Sequence, residues 1–230
     1  MTVGETIQGF RGWLDNSGHT PNESNWSPEL IYQHMLKYRA AFIHAKLYQG
    51  REVGYENYKI IPCINLVKVD RNECPCAPRS GCSFRKTEIP IIRNIFITSV
   101  SSLLGEIKYE YVQWDRFEDK LNHRLKSLAS EPYYTYKTIG DSTYHYLYND
   151  NHKKHLTYTM IPYDPIEYAM MKDCEGNSNQ CVDAYDVRFP MDAEMEAQLF
   201  METYNSLVAP RPQEADVFNN GMKDQGLPLK

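Results

Sequence analysis

Between Ser27 and Gly50 apolar residues recur at helical spacing, but along two stripes rather than one. At roughly 100° per residue, Ile31, Met35, Tyr38 and Phe42 form the first stripe and Leu36, Ile43 and Leu47 the second, about 120° away. Ser27-Pro28-Glu29 is a start signal with a mechanism. The serine hydroxyl accepts an orphan amide, proline suits the first turn, and glutamate faces the positive end of the helix dipole. The spacing therefore predicts a helix over 27–49, contacted from two sides. Arg39 and Lys46 fall between its stripes. Their heads either reach solvent over apolar surface or sit in a buried or intersubunit ion pair. A second helical period appears near the end of the chain, where Met195, Leu199, Phe200, Thr203 and Leu207 share an arc of about 100° behind the N-cap candidate Asp192. It predicts a helix over 193–208, stopped by Ala209-Pro210-Arg211-Pro212.

The pattern between these helices is strand-like. Lys59–Val69 and Ile91–Ser99 are rich in β-branched residues, and Glu106–Trp114 alternates Ile107, Tyr109 and Tyr111 with Lys108, Glu110 and Val112. Residues 133–161 are Tyr- and Thr-rich, and Gly140-Asp141 and Asn149-Asp150 divide them into three short runs, the pattern of an antiparallel meander. Arg116–Ala129 reads as a charged connector. The fold class is α+β: terminal helices with a Tyr-rich antiparallel β region between them. Residues 1–26, polar and carrying Gly4, Gly9, Gly12 and Gly18, read as an N-terminal arm; 27–208 as a single domain; 209–230 as an extended C-terminal tail.

Charge and composition narrow the partners. The net charge of −5 leaves no global basic surface for gripping phosphates. The 18 tyrosines favour strands and interfaces, since each joins a large apolar body to one polar tip. The first residues lack the pattern of a secretory signal, and no apolar run approaches the roughly 20 residues of a membrane helix. The expectation is assembly in the cytoplasm without a membrane partner, where six cysteines are more often thiols or metal ligands than disulfides.

Three of those cysteines crowd into ECPCAPRSGCSF, Glu73–Phe84. Zinc knuckles space their cysteines two to four residues apart, whereas only Pro75 separates Cys74 from Cys76. A fourth ligand would have to come from Cys63, Cys174, Cys181 or a histidine at no recognisable offset. A structural loop with packed thiols ranks first, zinc second, and a Cys74–Cys82 disulfide third. His152 and His155 lie three apart beside Lys153 and Lys154, as solvated residues of a hairpin turn would. Nucleophile elbows, phosphate loops and HExxH frames are missing, so no catalytic residue, cofactor or metal ligand is assigned.

ECPCAPRSGCSF, YEYVQWDRF and PYYTYKTIGDSTYHYLYNDNH, in that order, together with RFPMDAEMEAQL and DVFNNGMKD, resemble a virion structural protein of the crAss-like tailed phages. The resemblance spans about 26–164 and the closing segment; residues 1–25 and 170–188 carry none of it. It implies a non-enzymatic ring or adaptor protein of the head-to-tail connector at the portal vertex. Such a protein is a homo-oligomer, expected to be twelvefold, that docks on the portal, meets neighbouring ring or tail proteins, and lets genome DNA pass without sequence readout. Under it, Arg39, Phe42 and Lys46 on the first helix, Leu207 on the last, and Phe218, Asn219 and Asn220 in the tail are candidate contacts with a neighbouring subunit or the portal. Two rival classes stand beside it: a tail-associated carbohydrate-binding module built on the tyrosines, and a small zinc-dependent enzyme.

Overall fold

The computed structural model describes residues 1–17, 26–69, 84–116, 132–148, 154–171 and 183–208. Helices occupy both ends and a seven-stranded, mostly antiparallel sheet lies between them, an α+β fold. Two of the helices are those the periodicity predicts, α2 (Pro28–Tyr48) and α4 (Ala193–Val208). The Ser27 hydroxyl accepts from Leu30 N at 3.2 Å, as the start signal requires. The two helices run in opposite senses, because Lys46 meets Asp192 at one end and His34 meets Ser206 at the other.

The N-terminus departs from the sequence reading. Instead of an irregular arm, Val3–Asn16 form a helix, α1, closed by a reciprocal box in which Thr2 caps Glu5 N and Glu5 caps Thr2 N. Val3, Thr6, Ile7, Phe10 and Leu14 repeat at helical spacing and are all buried, and Phe10 meets Phe200 of α4 edge-on at 5.7 Å. Of the glycines that suggested an arm, Gly4 serves a close approach, Gly9 would meet only ordinary contact and Gly12 faces open space. A Cβ on Gly4 would lie 3.2 Å from the Tyr185 carbonyl, and one on Gly9 would lie 3.6 Å from the Phe200 ring.

The sheet order is β3 (Asn94–Ser102), β7 (His155–Pro162), β1 (Lys59–Lys68), β2 (Phe84–Thr87), β6 (Ser142–Tyr148), β5 (Tyr133–Ile139), β4 (Glu110–Tyr111). Gly140-Asp141 makes the predicted two-residue turn between β5 and β6, with Gly140 at φ +60°. The third run of the expected meander does not join them. β7 pairs instead with β1 and β3, inserting between strands far earlier in the chain. The reason lies in its side chains: Leu156, Tyr158 and Met160 are buried on the inner face of the sheet, while on the other face Thr157 and Thr159 are half-buried and Ile161 packs under the helices, more cover than an edge strand receives. β1 shifts register between Ile61 and Ile64, where Cys63 sits at φ +60°, and so it serves two partners, β7 through its first half and β2 through its second.

The sheet curls until its two edges are linked. Residues 107–109 bond to the end of β3 (Ser102 N to Ile107 O, 2.9 Å; Tyr109 N to Val100 O, 2.9 Å), and the same segment continues as β4 beside β5. Inside this curl lies an apolar core that includes Ile61, Val100, Leu147, Leu156, Tyr158 and Met160. A second core joins α1, α2 and α4 to the outer face of β3 and β7 through Ile95 and Ile161. Much of the tyrosine excess is spent here rather than on interfaces: Tyr109, Tyr133, Tyr134, Tyr146 and Tyr158 are all buried, while Tyr48 and Tyr55 stand almost fully exposed.

Candidate assembly surfaces

Arg39, on α2 between the two apolar stripes, is completely buried. Its Nε donates to Pro190 O at 3.0 Å, its two terminal nitrogens to Pro162 O at 3.1 Å, Tyr163 O at 3.3 Å and Asn57 Oδ1 at 3.0 Å. No carboxylate bonds it directly among the described residues, so burial lowers its pKa to about 10 and it stays cationic at neutral pH. Its donors are thus used within its own subunit, joining α2 to the end of β7, to Asn57 and to the segment before α4. The side chain does not present itself at the surface, where a direct subunit or portal contact would need it.

Lys46 sits one helix end away. Its ammonium is 2.9 Å from Asp192 and 3.6 Å from Glu194, and lies over the Phe42 ring at 5.1 Å. Asp192 also receives a hydrogen bond from Glu56, which holds the Glu56 carboxyl above its usual range and Asp192 below it; Lys46 adds to the second effect. Gly54 backs this pair so closely that a Cβ there would collide with both carboxyls. The result ties the start of α4 to the end of α2.

Between these helices runs an outward-facing groove of about 220 Å³, with Tyr38, Ala41, Phe42 and Ala45 of α2 on one wall and Met195, Gln198 and Leu199 of α4 on the other. Phe42 is half-buried in it, and Leu207 is half-buried against the helical core. The structure therefore brings Phe42 and Lys46 to one face and turns Arg39 inward. Phe218, Asn219 and Asn220 lie outside the described residues.

A larger opening, of about 570 Å³, breaks the wall of the curled sheet. Ile97 of β3 and Tyr136 of β5 flank it, residues 90–94 cross beneath it, and His145 forms part of its inner side. The sequence reading missed this place, whose lining comes from 90–97, 136–145 and Glu167, segments too far apart in the chain for a local pattern to mark. His145 is buried among Tyr134, Tyr136 and Tyr158, and burial lowers its pKa to about 4. Below the ordinary histidine value of 6.5 the unfolded chain takes up a proton that the folded one refuses. Stability is complete above pH 6.5 and falls as pH drops through 4, by roughly 3 kcal/mol in all. Urea melts of His145→Gln should show a pH dependence flattened by that amount between pH 6.5 and 4; an unchanged slope would contradict a neutral buried imidazole.

The cysteine loop 73–83, the His152 turn, Cys174 and Cys181 lie outside the described residues. Cys63 is disulfide-bonded, where thiols or metal ligands were the more expected state of the cysteines and a disulfide was weighed only for Cys74 and Cys82. Among the described residues no group of three or more His, Cys, Asp or Glu side chains is placed to hold a metal ion, and no helix is long and apolar enough to cross a membrane.

What the described residues offer, then, is surface: an apolar groove on a rigidly braced helical face and an open seam in a curled sheet, the equipment of an assembly subunit. The chain belongs to the crAss ring 2 family, described as phage tail ring protein 2, whose model matches residues 15–225. It is a structural ring protein of crAss-like phages, and a virion component accordingly. A comparison with curated proteins finds no match.

Proposed function

We propose that the chain forms a twelvefold ring in the head-to-tail connector, docked on the portal, enclosing the path of the genome and offering a platform to neighbouring ring or tail proteins. Its role is assembly and not catalysis. The observation that carries this reading is the ring-protein family match over residues 15–225. The face of α2 and α4 supports it physically: a largely apolar groove, with Gln198 and Glu202 among its lining residues and Lys46 over its Phe42 ring, suits a lateral contact with an apolar centre and a charged rim. Phe42 and Lys46 would contribute from this face, Leu207 from its far end, and Phe218, Asn219 and Asn220 from the tail. Charge supports free passage of DNA, because twelve copies at −5 carry −60 together and such a wall does not hold phosphates. Quantitative mass spectrometry of purified virions tests the reading. Copy numbers of this chain and the portal protein should be equal; absence from the particle, or a ratio far from one, would rule the connector ring out.

A further inference from the structure

The seam in the curled sheet has the form of a missing strand. Among the described residues, β5 pairs with β4 only at Tyr133 and Tyr134, and 135–139 keep one edge free. Among the same residues, β3 is bonded by 107–109 only at its far end, and 94–99 keep one edge free as well. Both edges border the 570 Å³ opening, and both expose apolar side chains, Phe96 on one and Tyr136 and Ile139 on the other. Unpaired, apolar strand edges are templates for another strand, which natural sheets ordinarily cover or blunt. On the inner side His145 Nδ1, fully buried, has no hydrogen-bond partner, an incomplete polar site where a donor or acceptor is wanted.

The chain carries a segment of matching chemistry. Beyond α4 lie residues 209–230, able to span up to roughly 70 Å when extended. Within them Val217-Phe218 is the one β-branched and aromatic pair, flanked by Asp216 on one side and Asn219 and Asn220 on the other. The rim of the opening sets Arg93, stacked on Tyr163 at 4.0 Å, where it can meet Asp216, and Asp141 and Glu167 as acceptors for the asparagine amides. At α2, His34 bonds Ser206 of α4 on one side, and Tyr32, two residues earlier and so turned to the other side, bonds Asp164 at 2.6 Å, the residue that caps the short helix α3 (Pro165–Ala169) carrying Glu167; the tail has the width of one helix to cross, well within its reach. Pro210 and Pro212 favour an extended course away from α4.

We propose that residues 216–220 of a neighbouring copy enter this seam as an added strand between β3 and β5, with Phe218 turned into the opening. The inference rests on the ring reading, and a ring favours donation to the neighbour over self-occupancy: one head-to-tail contact, repeated, fills every seam with one tail and closes the circle.

The test uses the full-length protein with p-benzoyl-phenylalanine at position 218, mixed before ring assembly with an excess of ¹⁵N-labelled wild type and irradiated. Native mass spectrometry of the same sample reports the ring. Crosslinks from unlabelled tails to labelled peptides containing Ile97, Tyr136 or Thr143 are expected, and Tyr136→Asp should cut their yield at least tenfold without lowering the melting temperature. Crosslinks confined to the seam of the tail's own chain, or lying elsewhere on the subunit, would overturn the strand exchange while the ring mass stands. A chain that stays monomeric would overturn both it and the ring reading beneath it.

Discussion

Arg39→Met is expected to lower the free energy of unfolding by about 3 to 5 kcal/mol, moving the melting temperature down by roughly 6 to 20 °C. Two opposing effects set the figure. The buried guanidinium pays for its desolvation, as its lowered pKa of about 10 records, and methionine removes that burden, worth roughly 3 kcal/mol. Against it stand the four acceptors that Arg39 satisfies, on Pro162, Tyr163, Pro190 and Asn57, each costing about 1 to 3 kcal/mol when left buried and unpaired. The acceptors outweigh the relief, because three of them are backbone carbonyls that cannot turn away. Arg39→Lys should recover only part of the loss, since one ammonium cannot reach four acceptors spread around a planar fork. Urea denaturation followed by circular dichroism gives the answer, and a methionine variant within about 1 kcal/mol of wild type would show that the hub is not what braces α2.

The second large effect concerns assembly. Ala41→Glu with Ala45→Glu places two charges on the α2 wall of the helical groove, at exposed positions where glutamate is a good helix former. In a lateral contact each would be desolvated without a partner, at a cost of about 2 kcal/mol or more, so the pair should weaken each junction by at least ~10³-fold. The expected result is a monomer with the melting behaviour of the folded wild-type subunit, read by size-exclusion chromatography with light scattering. A ring that survives both charges would move the lateral contact to another face.

How much of this was legible in the sequence depends on the range of the interactions involved. α2 and α4 were readable because their signals are local: a serine cap, a proline, and apolar residues three and four apart. The double stripe on α2 even foretold a helix enclosed on two sides with Arg39 between them, yet the partners that Arg39 found, three carbonyls from segments more than a hundred residues away, leave no mark in local pattern. α1 was missed because glycine weighs against helix in isolation, while here Gly4 admits Tyr185 at close range. The β5–β6 hairpin was legible from Gly140-Asp141; the transfer of β7 to the other half of the sheet was not, since strand order is a decision of global burial. The seam was invisible for the same reason. An unpaired edge is a property of what fails to lie beside a strand.

The most direct test of the account is cryo-electron microscopy of the portal vertex in intact virions, with this chain traced in the density. Twelve copies are expected in a closed ring against the portal, joined along the α2 and α4 face and by tails threaded to their neighbours. Density for the chain at the tail tip or in the capsid shell, or as isolated subunits, would contradict it.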